Sequence, residues 1–300
     1  MNTLIENLGL NSELLIYLAI DISIAIILLS TMKFVAGLSA KVNATEELAK
    51  QDNFAFGISV AGSIAALGIV LTGAITGENA ESFRMEIIGM FSYGLLGLVL
   101  IKVGRFIHDR LALQHIDKTA QIKERNITVG LVDAAGAIAT AIVIRAVLIW
   151  VHGMTIHTVV AIVSGFAVSQ LMLVLVTRIK EKQYANANQD DCMQEAFANG
   201  QVALAIRYSG QVISTALAVT AASYFLVYSP DTLAISLVGW FAFSVVMTLL
   251  VSLLTLIAKK LILWGINLTE EVDQQHNIGV ASVEMAISIS IALILTALMA

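Results

Sequence analysis

The sequence predicts an all-α, polytopic membrane protein of eight transmembrane helices, built as four parallel two-helix repeats. Three observations predict it: an apolar composition, recurrent apolar runs of about 20 residues, and an alternation of connections rich and poor in lysine and arginine. Of the 300 residues, 58% are hydrophobic and 13% charged, against roughly 25% charged in a typical soluble domain. Mean hydropathy is +0.86. An α-helix needs about 20 residues to cross about 30 Å of hydrocarbon. No water reaches that depth, so each run must satisfy its own N–H and C=O groups, which a helix does.

Taken in order, the spans fall at residues 14–32, 54–75, 87–107, 127–151, 156–177, 202–228, 233–258 and 278–300. The first carries Asp21, and the residues ahead of it lack the basic stretch of a cleavable signal, so it is expected to be retained. The second opens after Asn53. The third ends with Lys102 and Arg105, whose long stems can snorkel to the interface. The fourth opens after Asn126 and carries Asp133 and Arg145; the sixth carries Arg207 and the eighth Glu284. The fifth and seventh are uncharged within these bounds.

Of the 17 lysine and arginine residues, 14 lie in, or at the edge of, the connections that follow spans one, three, five and seven. Basic residues in short loops mark the cytoplasmic side. Both termini are therefore expected on the outer side of a bacterial inner membrane. Net charge is −5, which argues against a nucleic-acid partner. The single cysteine, Cys192, excludes an internal disulfide framework.

The same alternation exposes the repeat. An asparagine stands before each even span: Asn53, Asn126, Asn199 and Asn277, at intervals of 73, 73 and 78 residues. Asparagine caps helices because its side-chain oxygen accepts an unpaired N–H of the first turn. Further in, the units read Ser59-Val60-Ala61-Gly62, Asp133-Ala134-Ala135-Gly136, Arg207-Tyr208-Ser209-Gly210 and Glu284-Met285-Ala286-Ile287. Gly62, Gly136 and Gly210 give small faces on which helices can pack closely in lipid. Residues 1–150 and 151–300 form natural halves of four helices each. The pattern of charged loop, asparagine and small-residue face resembles the YjfL-like bacterial inner-membrane family, carried by Asp52 to Gly62 and Asn126 to Gly136. That resemblance implies a domain of unknown function in an envelope or polyamine-linked context, near membrane-stress proteins.

An ionisable group inside the bilayer is costly and needs a reason. Asp133, Arg207 and Glu284 each lie seven or eight residues past an asparagine, roughly 10 to 12 Å deep at 1.5 Å per residue. If the even helices share a centre, Arg207 bridges the two acids and leaves one net negative charge for a proton or small cation. The alternative is an ion-pair network that fixes packing. Asp21 extends a polar path outward or pairs with Arg145. Ser59 lies in Gly57-Ile58-Ser59-Val60-Ala61, which lacks the second glycine of a nucleophile elbow. No catalytic, cofactor or metal motif appears, and His152 with His157 offers only a loop pair. The expected function is channel-like or ion-coupled transport of protons or small cations, polyamines included. A scaffold or envelope-stress subunit, recruiting partners through loops 108–125 and 178–199, is the alternative. The chain is expected to contact lipid and to act as a monomer or homodimer.

Overall fold

A computed structural model describes residues 12–75, 82–151 and 155–300. Among them, eight helices are long and apolar enough to cross a membrane, and no strand occurs. They are α1 (Ser12–Ala40), α2 (Phe54–Ile75), α3 (Phe83–Ile107), α4 (Ile127–Trp150), α5 (Ile156–Ala187), α6 (Val202–Ser223), α7 (Leu233–Ile262) and α8 (Ile278–Met299). The chain is a multi-pass membrane protein. Two spans differ from their expected length. α5 runs on ten residues past Thr177, because the polar stretch after it contains no helix breaker. α6 ends at Ser223 and not at Tyr228; Pro230 lies close behind, and it disfavours helical backbone in the residue before it.

Each even helix is reached by the same device. A six-residue element comes first: the short helices Ala44–Ala49, Lys118–Lys123 and Met193–Ala198, and the π turn Thr269–Gln274. One residue then adopts a left-handed backbone: Asp52 (φ 48°), Arg125 (φ 66°), Gly200 (φ 84°) and His276 (φ 56°). The cap follows at once. Asn53 Oδ1 accepts from Phe56 N at 3.0 Å, Asn126 from Val129 N at 3.3 Å, and Asn277 from Val280 N at 3.1 Å.

The third repeat departs from the expected register. Its cap position is Gln201, which makes no side-chain cap bond, while Asn199 terminates the short helix through its own N–H to Glu195 O. Glycine at 200 takes the left-handed backbone without steric cost. The true register is therefore set by the left-handed residue, at intervals of 73, 75 and 76.

The capping asparagines also tie neighbouring repeats together. Asn53 Nδ2 donates to Ile122 O at 3.0 Å, and Asn126 Nδ2 donates to Phe197 O at 3.1 Å and Ala198 O at 2.8 Å. Asn126→Ala is thus expected to cost about 1–2 kcal/mol, as for loss of a helix cap. Asn199→Ala should stay within about 0.5 kcal/mol, as at sites without such bonds. Unfolding in mixed micelles measures both, and equal costs would contradict a register set by the left-handed residue.

The even helices form a row, α2–α4–α6–α8, and the odd helices lie over it. α1 covers α2, α3 spans α2 and α4, α5 spans α4 and α6, and α7 spans α6 and α8. Small residues make the row tight. A methyl on Gly62 would stand 2.4 Å from Ala134 Cβ, and one on Gly210 would stand 2.7 Å from Met285 Cα. Gly136 instead faces His108. Large apolar side chains of the odd helices, such as Ile26 and Leu261, stay exposed as lipid contact requires.

Candidate functional site

Each half of the row holds a cluster of four charges at its charged-loop end. In the first half, Asp133 is 2% exposed and is held from three sides. Its Oδ2 accepts from Ser59 Oγ at 2.5 Å and from Arg105 Nη2 at 2.5 Å, and its Oδ1 from Lys118 Nζ at 3.0 Å. Arg105 also donates to Ser63 Oγ at 3.0 Å, and Lys118 pairs with Asp109. Two cations balance two carboxylates.

The second half repeats the arrangement with other side chains. Glu284 accepts from Arg207 Nε at 2.6 Å and from Lys259 Nζ at 2.9 Å. Arg207 reaches Asp273 through Nη1 at 2.5 Å and the Leu268 carbonyl through Nη2 at 2.6 Å. Asp133 and Glu284 both stand seven residues past their capping asparagines, and Ser59 and Arg207 both stand six past Asn53 and Gln201. The halves therefore carry one site twice, with serine in one where arginine stands in the other.

This geometry replaces the bridge expected from the sequence. Arg207 does not link Asp133 to Glu284: a row, unlike a ring, turns α4 toward α2 and α3, and α6 toward α7 and α8 for this pairing. Arg105, expected to snorkel outward, points inward because a buried carboxylate is within reach. Lys118 and Asp273 come from the six-residue elements, which fold back onto the spans. With these partners counted, the surplus carboxylate disappears. Asp21 joins neither cluster; it faces Glu86 on α3. Arg145 donates to Thr72 Oγ1 at 3.0 Å.

Between the two clusters lies a buried polar contact that the sequence does not predict. His108 Nε2 and Tyr208 Oη are 2.8 Å apart, and Tyr208 Oη is 3.1 Å from Thr177 Oγ1. The only hint in the sequence is the position of Tyr208 beside Arg207. Loops 108–125 and 178–199 pack on each other beside this contact. Gln194, fully buried, accepts from His115 N at 2.8 Å and donates to Glu181, while Arg178 donates to Leu111 O at 2.7 Å. Among the described residues, no group of three or more His, Cys, Asp or Glu is placed to hold a metal. His152 lies outside the described residues.

The clusters differ in their surroundings. A cavity of about 1090 Å³ opens over the second one, between α5 and α7, with α6 and α8 as its floor. Arg207, Lys259, Asp273 and Glu284 all line it. Lys180 and Lys260 add two further cations.

A family model described as Domain of Unknown Function (DUF350) matches residues 5–148 and again 154–299. A UPF0719 transmembrane protein of Aquifex aeolicus (strain VF5) is 25% identical over 133 residues, covering 44% of this chain. The chain spans about half the length of that relative, 49%. No solved structure matches.

Proposed function

This chain belongs to the DUF350 family in both of its halves, and from that premise we propose that it is a non-enzymatic transport protein whose solute binds in the cavity of the second half. The supporting observation is the asymmetry between two equivalent clusters. In the first half, Ser59 and Ser63 close over the charges and the cluster acts as a structural lock. In the second, the same position opens into a space of about 1090 Å³, just above the range of small-molecule sites, about 300–1,000 Å³.

The reading keeps transport and revises the solute. A proton or small-cation pathway drew on an unpaired carboxylate, and both acids in the cavity wall are paired. The lining holds four cations against two carboxylates, so a solute bearing negative charge fits the field better. By the distribution of lysine and arginine, the cavity end faces the cytoplasm and both termini face outward across a bacterial inner membrane.

Proteoliposomes test this. Flux of protons, spermidine and a fluorescent short-chain phosphatidylglycerol should be measured for the wild type and for Thr255→Trp, which narrows the cavity. Movement of the anionic probe, lost in the variant at unchanged thermal stability, supports the proposal; equal flux in both proteins, or none in either, removes it. One observation favours a second reading, a scaffold. The six-residue elements and loops 108–125 and 178–199 interlock into a continuous platform, which suits docking of a cytoplasmic partner.

A further inference from the structure

α5 and α7 meet at their outer ends, where Trp240 lies 3.4 Å from a methyl placed on Gly165. The cavity occupies the space between their other halves, residues 176–187 and 248–263. Its rim is apolar and exposed: Leu249 (65%) and Leu256 (66%) both line the cavity and reach the surface of the molecule. In a membrane that surface is hydrocarbon. The cavity therefore opens sideways, to lipid.

Its interior is amphipathic. Lys180, Lys259 and Lys260 stand toward the charged-loop end, with Trp264 beside them at 79% exposure. Basic and tryptophan side chains together mark the headgroup level. Deeper in, Thr255 is 8% exposed, and its hydroxyl has no hydrogen-bond partner; the same holds for the Thr248 hydroxyl, two turns earlier on the same face. Ser288, Thr215 and Ser214 in the lining instead donate to backbone carbonyls one turn back, Ser288 to Glu284 O at 2.8 Å, Thr215 to Gln211 O at 2.8 Å and Ser214 to Gln211 O at 2.9 Å. The Thr248 and Thr255 hydroxyl oxygens both lie buried in the cavity wall as donors without an acceptor of their own.

Resting on the cavity as the solute site, we infer that its occupant is an anionic phospholipid, with the phosphate at Lys180 and Lys260 and an acyl chain between α5 and α7. Asp273 and Glu284 are committed to Arg207 and Lys259, so the two remaining lysines are the cations open to a guest. Lys180 holds only the Gln183 side chain, at 3.0 Å. A polyamine would meet like charge there. A zwitterionic lipid would leave the lysines uncompensated.

Native mass spectrometry of the full chain, titrated with phosphatidylglycerol, phosphatidylcholine or inorganic phosphate, tests the assignment. The wild type should retain one phosphatidylglycerol in preference to phosphatidylcholine. Lys180→Gln with Lys260→Gln should lower that retention roughly thirtyfold, the equivalent of about 1 kcal/mol for each basic residue. Lys41→Gln with Lys50→Gln, at exposed positions in the first half, should leave it unchanged. Equal retention of both lipids, equal retention by the Lys180 and Lys260 variant, or binding of inorganic phosphate without the lipid overturns the assignment. Lipid retention without flux upholds it and overturns transport; spermidine flux without lipid preference does the reverse.

Discussion

Asp133→Leu is expected to destabilise the folded chain by about 3–5 kcal/mol, because it leaves Arg105 without its carboxylate and the buried Lys118 with Asp109 alone. Arg105 and Lys118 lose their shared acceptor, and Lys118 is itself 5% exposed. The cost lies in the stranded charges more than in the lost bonds. Replacing the cluster by apolar groups of similar size, Asp133→Leu with Arg105→Met and Lys118→Met, should therefore recover most of it. Asp109, which would remain, has a side chain 42% exposed, with Oδ1 buried, so its carboxylate is only partly open to water. Steric trapping or unfolding in mixed micelles measures all three variants. A single-variant cost below about 1 kcal/mol, the range of solvent-exposed pairs, would mean that water reaches Asp133 and that the cluster is no lock.

Arg207→Met should cost a similar amount, about 3–5 kcal/mol, since Asp273 then keeps only the 3.5 Å contact from Asn188. Arg207→Lys should recover less than half. The guanidinium sends three separate N–H groups to Glu284, Asp273 and the Leu268 carbonyl, on two different elements. A lysine ammonium is a compact charge on a flexible stem and does not reproduce that fork. Full rescue by lysine would reduce Arg207 to a point charge, and the second cluster would lose its role in holding the π turn against α6 and α8.

The eight membrane spans were legible in the amino-acid sequence, because hydrophobic length is a direct physical requirement of the bilayer. The site was legible only in part. Asp133, Arg207 and Glu284 stand out as charges in apolar runs, but their partners do not. Arg105 ends a span, where snorkelling is the ordinary expectation, and a helix face cannot be assigned to it without knowing which neighbour offers a carboxylate. Lys118 and Asp273 lie in polar connections with no periodicity to betray burial. The match between Ser59 and Arg207 was hidden by Asn199, two residues out of register with the cap. A fainter signal lies in α7, where Ser244, Thr248, Thr255 and Lys259 recur at helical spacing, a polar stripe lost within a strongly apolar run.

A row of helices, unlike a closed ring, has two free ends. The contact of α4 with α6 joins the halves through unlike surfaces, the later even helix of one unit against the earlier even helix of the next. Association of that kind does not close on itself. A separate four-helix unit of this design would add further copies edge to edge without a natural stop. Fusing two units in one chain satisfies one such junction internally and leaves α2 and α8 as the margins of the row.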